Sequence, residues 1–237
     1  MLKTKRTAGV LLLALALVVA GCSKSGSPTS SSSTPPKLNH PIFAGPNTTS
    51  DSSGATQADG VALEIGLYTA IASSFMTGQA TQNGNTWSWL SSSGGVTETW
   101  SGTVATDGSY QWALTYNGSS DSANYTNWSY IKGTTSKDGS TGNFSVYITN
   151  TTDPQIEFNW TTGSNGTVTA TIQNLDASGN IESTIKLINN PDKSGELDEY
   201  HGTSQLVFKA AWQSNGSGQW WEYDPSTGSV IYQSSWS

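Results

Sequence analysis

The chain has 237 residues, with 17 acidic against ten basic side chains and a net charge of −7. That is length for a signal segment plus one ordinary domain core, and too few cations to neutralise a nucleic-acid backbone, so nucleic-acid binding is excluded as an expectation. A single cysteine excludes an intramolecular disulfide, and with only 11% charged residues solubility must come from hydroxyls and amides.

In chain order, Lys3, Lys5 and Arg6 precede an unbroken apolar run from Val10 to Ala20. A charged start followed by so short an apolar stretch is the pattern of an export signal; a membrane-spanning helix needs about 20 apolar residues. The run ends in Val19-Ala20-Gly21-Cys22, which resembles the lipobox of bacterial lipoproteins cut by the type II signal peptidase. The resemblance covers only the first 22 residues. It implies removal of 1–21, a diacylglycerol on the Cys22 thiol, further acylation such as palmitate, and a membrane held through that lipid. More than one acyl chain gives stable anchoring. Ser23 stands where an aspartate would favour inner-membrane retention in such lipoproteins, so the expected place is the outer membrane, facing the periplasm, with surface display left open. Without Lys3, Lys5 and Arg6, seven basic residues face the 17 acidic ones, a mature charge of −10.

Residues 22–60 are rich in Ser, Thr, Pro and Gly, with Pro35-Pro36, Pro41 and Pro46. Such composition buries too little apolar surface to offset ordering entropy, so a disordered tether is expected, spanning ~35 Å root mean square. A single domain, 61–237, follows. Val61, Ile65, Tyr68, Ile71 and Phe75 recur at steps of three and four, which predicts a helix over 61–76 with Asp59 as its cap. Val61, Leu63, Ile65 and Leu67 also alternate, which leaves a strand open.

Beyond residue 80 the pattern is short alternating runs. Tyr110, Trp112, Leu114 and Tyr116 are the first plain example. Phe144 to Ile148, Ile156 to Trp160, Val168 to Ile172, Ile181 to Leu187, Leu206 to Trp212 and Val230 to Trp236 repeat it. A period of two with one apolar side marks half-buried strands. Between them stand Asp107-Gly108, Asp138-Gly139, Asn165-Gly166, Ser178-Gly179-Asn180, Asn215-Gly216 and Asp224 to Gly228, all suited to tight antiparallel turns. The expected fold is all-β, an antiparallel meander of roughly 10–12 strands. A sheet that long curls, so an up-and-down barrel or half-open barrel is predicted, with the helix packed on or in it. The second face is Ser, Thr, Asn, Gln and Gly, which excludes the lipid-facing belt of an outer-membrane barrel.

Chemistry-bearing residues are sparse. His201 is the one histidine beyond the tether, within Glu196-Leu197-Asp198-Glu199-Tyr200-His201. On a strand, Glu199 and His201 share one face and Glu196, Asp198 and Tyr200 the other, at most half a metal site, so no metal or cofactor is expected. Gly202-Thr203-Ser204-Gln205-Leu206 lacks the final glycine of a nucleophile elbow. Glu98, Glu157, Glu182 and Glu222 lie in strand-like runs and are the carboxylates a glycoside hydrolase could pair, but nothing marks a catalytic pair, and the expectation is a protein that is not an enzyme.

The unusual signal is aromatic: ten Trp, all after the tether. Most are expected in core packing. In Trp220-Trp221 adjacent residues face opposite sides, so one must leave the core side. Trp128, Tyr130, Trp220 and Trp221, with Tyr125 nearby, are the candidate ligand-binding residues. The function expected from the sequence is a membrane-anchored cell-envelope lipoprotein with a non-enzymatic binding or structural β domain. Exposed Trp and Tyr would suit a glycan, and a half-open barrel would suit a lipid or other hydrophobic ligand.

Overall fold

A computed structural model describes residues 34–46, 52–120, 123–148 and 151–237, with backbone only for 67–73. The export signal and Cys22 lie outside the described residues. One helix, α1 (Ser53–Phe75), precedes thirteen strands: β1 (Thr81–Asn83), β2 (Thr86–Ser93), β3 (Val96–Val104), β4 (Tyr110–Ser119), β5 (Asn124–Thr135), β6 (Thr141–Val146), β7 (Ile156–Thr162), β8 (Val168–Leu175), β9 (Ile181–Asn189), β10 (Gly195–His201), β11 (Gln205–Trp212), β12 (Gly218–Tyr223) and β13 (Val230–Trp236). They form one antiparallel sheet in sequence order, open between β1 and β13. This is the expected all-β meander in its half-open form. No helix among the described residues is long and apolar enough to cross a membrane.

The hairpins are built alike. In the β3–β4 turn Ala105 N–H donates to Ser109 O, Gly108 N–H donates to Ala105 O, and Asp107 Oδ1 accepts from Ser109 N–H. The same set recurs around Asn165, Asp192 and Asn215, and at 176–180 the backbone pair recurs with Asp176, the first turn residue, as the side-chain acceptor from Ser178 and Asn180 N–H. Of the residues in these loops, only Gly108, Gly166, Gly179, Lys193 and Gly216 have positive φ. These are three-residue loops, a type I turn closed by one left-handed residue, rather than two-residue turns with two left-handed residues. The acidic or amide side chain is selected as a local acceptor; it directly precedes the left-handed residue except at Asp176, which opens its turn.

The sheet curls around α1, which touches β2 near one edge and β11 and β12 near the other. The helix begins eight residues before the sequence expectation. Ser52, not Asp59, caps it, its Oγ accepting from Ala55 N–H at 3.2 Å. The added turns are small residues: Ala55 and Ala58 are buried, and Gly54 lies so close under the Trp220 ring that no Cβ would fit. Val61 and Ile65 are buried as expected, while Tyr68 and Ile71 fall among the side chains outside the described ones.

Residues 34–46, expected in the tether, instead form a strap across the sheet. Pro36 and Leu38 are buried, and Phe43 packs edge-on against Phe158 and Trp160, with centroids 5.7 and 6.3 Å away. Four prolines stiffen the region around it, so ordering the strap costs less entropy than its polarity suggests.

Eight of the ten Trp are buried; the exceptions are Trp128 and Trp221. Three use one device. Trp160 lies over Gly142, Trp212 over Gly195 and Trp236 over Gly218, each its direct cross-strand partner. Their Nε1 atoms donate to the carbonyls of Gly139, Lys193 and Gly216, the left-handed residues of the adjoining turns. A large ring thus covers backbone that glycine leaves bare, and its one polar atom is satisfied. Each buried indole removes about 200 Å² from water, an upper-bound gain of roughly 5 kcal/mol, which lets a sheet without disulfides hold.

Candidate functional site

The helix-facing side of β3, β4 and β5 ends in an aromatic cluster. Regular pairing carries Glu98 of β3 opposite Tyr116 of β4 and Tyr116 opposite Trp128 of β5. Two irregularities then interrupt β4–β5. Tyr130 is an extra residue between the Leu114–Ile131 and Thr115–Ser129 pairs, and a second shift lies between Tyr116 and Gly118, where Asn127 adopts φ 48°. Tyr125 and Trp128 are three apart, so strict alternation would put them on opposite faces. The extra residue at Asn127 restores Tyr125, opposite Gly118, to the face of Trp128.

The result is a cluster of four rings, with Tyr116 and Trp128 each in contact with the other three. Tyr125 stacks on Trp128 with centroids 5.4 Å apart and planes 21° apart. Tyr116 lies 5.6 Å from Trp128, 5.7 Å from Tyr125 and 5.8 Å from Tyr130, and Trp128 lies 5.5 Å from Tyr130. All four are half-buried, unlike the tryptophans of the core. One step inward, Trp100 stacks against Phe75 at the end of α1, 6.5 Å between centroids.

Polar atoms here lack partners. Glu98 is half-buried, and burial raises its carboxyl above the ordinary range; its carboxylate makes no hydrogen bond or ion pair with a described residue. Burial, then the charge of Glu98, push the Tyr116 hydroxyl up, and burial raises Tyr130 as well. The Nε1 atoms of Trp128 and Trp100 are shielded from solvent and have no partner among the described residues. An unmade hydrogen bond of this kind costs about 1–3 kcal/mol. Among the described residues the cluster therefore offers flat apolar faces beside an unpaired acceptor and no cation.

Of the residues singled out from sequence, Trp128 and Tyr130 come together and Tyr125 joins them; Tyr116 and Glu98 were not singled out as their partners. Trp220 and Trp221 lie far along the sheet on β12. Trp220 is buried at 7% exposure between Phe208 and Tyr232, while Trp221 takes the outer face opposite Lys209. Cys22 lies outside the described residues.

The strand faces around His201 are as expected. Glu199 faces α1 and accepts from Gln57 Nε2 at 2.6 Å; His201 is exposed at the strand end. On the outer face Lys209 bridges Glu196 at 2.7 Å and Asp198 at 3.3 Å, and Tyr200 donates to Asp198. Among the described residues no three His, Cys, Asp or Glu side chains converge as metal ligands. Glu98, Glu157, Glu182 and Glu222 stand on β3, β7, β9 and β12, so no two meet across a strand pairing.

The space inside the curl is taken by Ala55, Ala58, Ala62 and Ile65 of α1, by Leu38 and Phe43 of the strap, and by the buried tryptophans. Two shallow depressions open to solvent, one between the strap and the β5–β6 turn, the other on the polar outer face of β3 to β6. Comparison with known protein families and with curated proteins finds no match.

Proposed function

We propose that this chain is a lipid-anchored cell-envelope protein whose β domain is a non-enzymatic binding module for saccharides. The observation that carries the reading is the convergence of Tyr116, Tyr125, Trp128 and Tyr130 through two departures from regular pairing. The pairings β8–β9, β10–β11 and β12–β13 each carry one shift, whereas β4–β5 carries two, and both fall at the ring cluster. Bulges that re-aim side chains recur beside binding sites. Sugar rings present C–H faces to aromatics and hydroxyls to polar neighbours, and Glu98 is placed to accept from them.

The strap supports an orientation. It crosses the rim formed by the turns after β3, β5, β7 and β9, touching Gly102 through Pro36, Gly139 through Asn39 and Asn189 through Ala44. The aromatic cluster lies at the other rim, beside the β4–β5 turn. Eleven residues separate Cys22 from Thr34, a reach of at most ~40 Å. A lipid on Cys22 thus holds the strap side to the membrane and leaves the cluster facing away. Filling of the curl favours this reading over a carrier of hydrophobic ligands.

The test has two arms. Palmitate labelling in a bacterial host should mark the chain and be lost in Cys22→Ser, which should release the protein from the membrane fraction. Titration of the 34–237 domain with neutral hexasaccharides, chitohexaose and cellohexaose among them, should change tryptophan emission. Trp128→Ala should weaken binding about tenfold or more, the loss of one stacking contact. Saccharide affinity unchanged in Trp128→Ala would refute the site.

A further inference from the structure

Resting on that reading, we infer that the saccharide taken by the cluster carries a free ammonium group, as in a de-N-acetylated amino sugar, and that Glu98 is the residue that selects it. Among the described residues Glu98 is the one carboxylate at the cluster, on the same face as all four rings and directly opposite Tyr116. It has no hydrogen bond or ion pair with a described residue, although it is half-buried. A partly desolvated carboxylate without a counter-ion is a standing cost, and a ligand cation beside it removes that cost.

The rings add to the same preference. The faces of Tyr116, Tyr125, Trp128 and Tyr130 carry negative quadrupole potential, which attracts a cation and repels an anion. Among the described residues no Lys or Arg contributes to the cluster: the Lys132 ammonium, on the same strand, lies on the outer face, 5.0 Å over the Tyr147 ring. An anionic sugar would meet a carboxylate and four ring faces with no cation among the described residues to offset them. A neutral N-acetylated sugar would stack and donate a hydroxyl to Glu98 but bring no counter-charge. An ammonium-bearing ring adds that counter-charge to the stacking.

The test compares two probes on the full chain carrying Cys22→Ser by calorimetry at about pH 6, where the sugar amine is charged: fully N-acetylated chitohexaose and its fully deacetylated counterpart. The deacetylated hexamer should bind about tenfold more tightly, the range for a charge-assisted contact at a half-exposed site. In Glu98→Gln that preference should vanish while acetylated binding stays. Glu157→Gln, which removes the same charge from the outer face, should keep the preference and thereby separate a local contact from attraction by the acidic chain as a whole. Equal affinity for both probes, or a preference that survives Glu98→Gln, would overturn the inference and leave saccharide binding standing. If neither probe binds the native domain, the saccharide reading itself fails.

Discussion

Asn189, at the end of β9, holds both sides of one strap residue: its Oδ1 accepts from Ala44 N–H at 3.1 Å and its Nδ2 donates to Ala44 O at 2.6 Å. A side-chain amide here does what a neighbouring strand would do for that residue. The strap therefore stays on the sheet although it belongs to no strand.

Asn189→Ala should lower stability by about 1–2 kcal/mol, the net worth of two partly exposed hydrogen bonds, and Phe43→Ala by somewhat more. Urea unfolding gives the magnitude. Hydrogen exchange should show residues 34–46 losing protection ahead of the sheet in both variants; a strap that stays protected would contradict its dependence on these contacts.

Glycine substitutions should split by location. Gly142→Ala puts a Cβ into the Trp160 ring and should cost about 1–3 kcal/mol, with a change in tryptophan emission as the Nε1 bond to Gly139 is lost. Gly60, inside α1 with open space around its Cα, should behave oppositely: Gly60→Ala should gain about 0.5–1 kcal/mol. Thermal melts of the two variants moving in the same direction would contradict this account.

The turn aspartates should make the fold acid-sensitive. The Ser140 N–H, then the Ser136 hydroxyl, lower the Asp138 carboxyl to about 2. Hydrogen bonds from Ser109, Asn180, Ser194 and Ser226 lower Asp107, Asp176, Asp192 and Asp224 in the same way. A depressed folded value means that the contribution is present above the unfolded value, near 4, and is lost as pH falls through the folded one. The melting temperature should stay level down to about pH 4 and drop towards pH 2. Asp138→Asn keeps the acceptor and removes the proton uptake, as Asn165 and Asn215 already do in their turns, and should flatten the drop.

Lys209 should govern the alkaline side. Burial by itself would lower its pKa, but hydrogen bonds and charge from Glu196 and Asp198 outweigh that and raise it above 10.5. A raised value means that stability is complete below the unfolded value and is lost as pH climbs through the folded one. Lys209→Met, which leaves buried Asp198 with only the Tyr200 hydroxyl, should cost about 1–3 kcal/mol at neutral pH and abolish the alkaline loss; denaturant unfolding at pH 7 and near pH 11 measures both.

What residue order alone determined was everything local. Alternation from Tyr110 to Trp236 specifies strands, because a period of two is imposed by the pleat itself. Asp-Gly and Asn-Gly specify hairpins, because acceptor and left-handed residue act within five residues. Together they require an antiparallel meander, and its length requires curling. The opposite faces of Trp220 and Trp221, and of Glu199 and Asp198, follow from the same rule.

Tertiary structure decided what depends on partners distant in sequence. Ser53 to Gly60 looks like linker because its apolar groups are Ala, yet small residues are what lets α1 approach Trp220. The strap looks disordered because its anchors, Asn189, Phe158 and Trp160, lie more than 100 positions away. The aromatic cluster was half legible: Trp128 and Tyr130 share a face by spacing. Tyr125, three residues from Trp128, is turned to that face only by the irregular pairing at Asn127, which depends on the register of β4 against β5. Glu98 reaches the cluster through β4, as the strand beyond Tyr116, and no local pattern in β3 marks it.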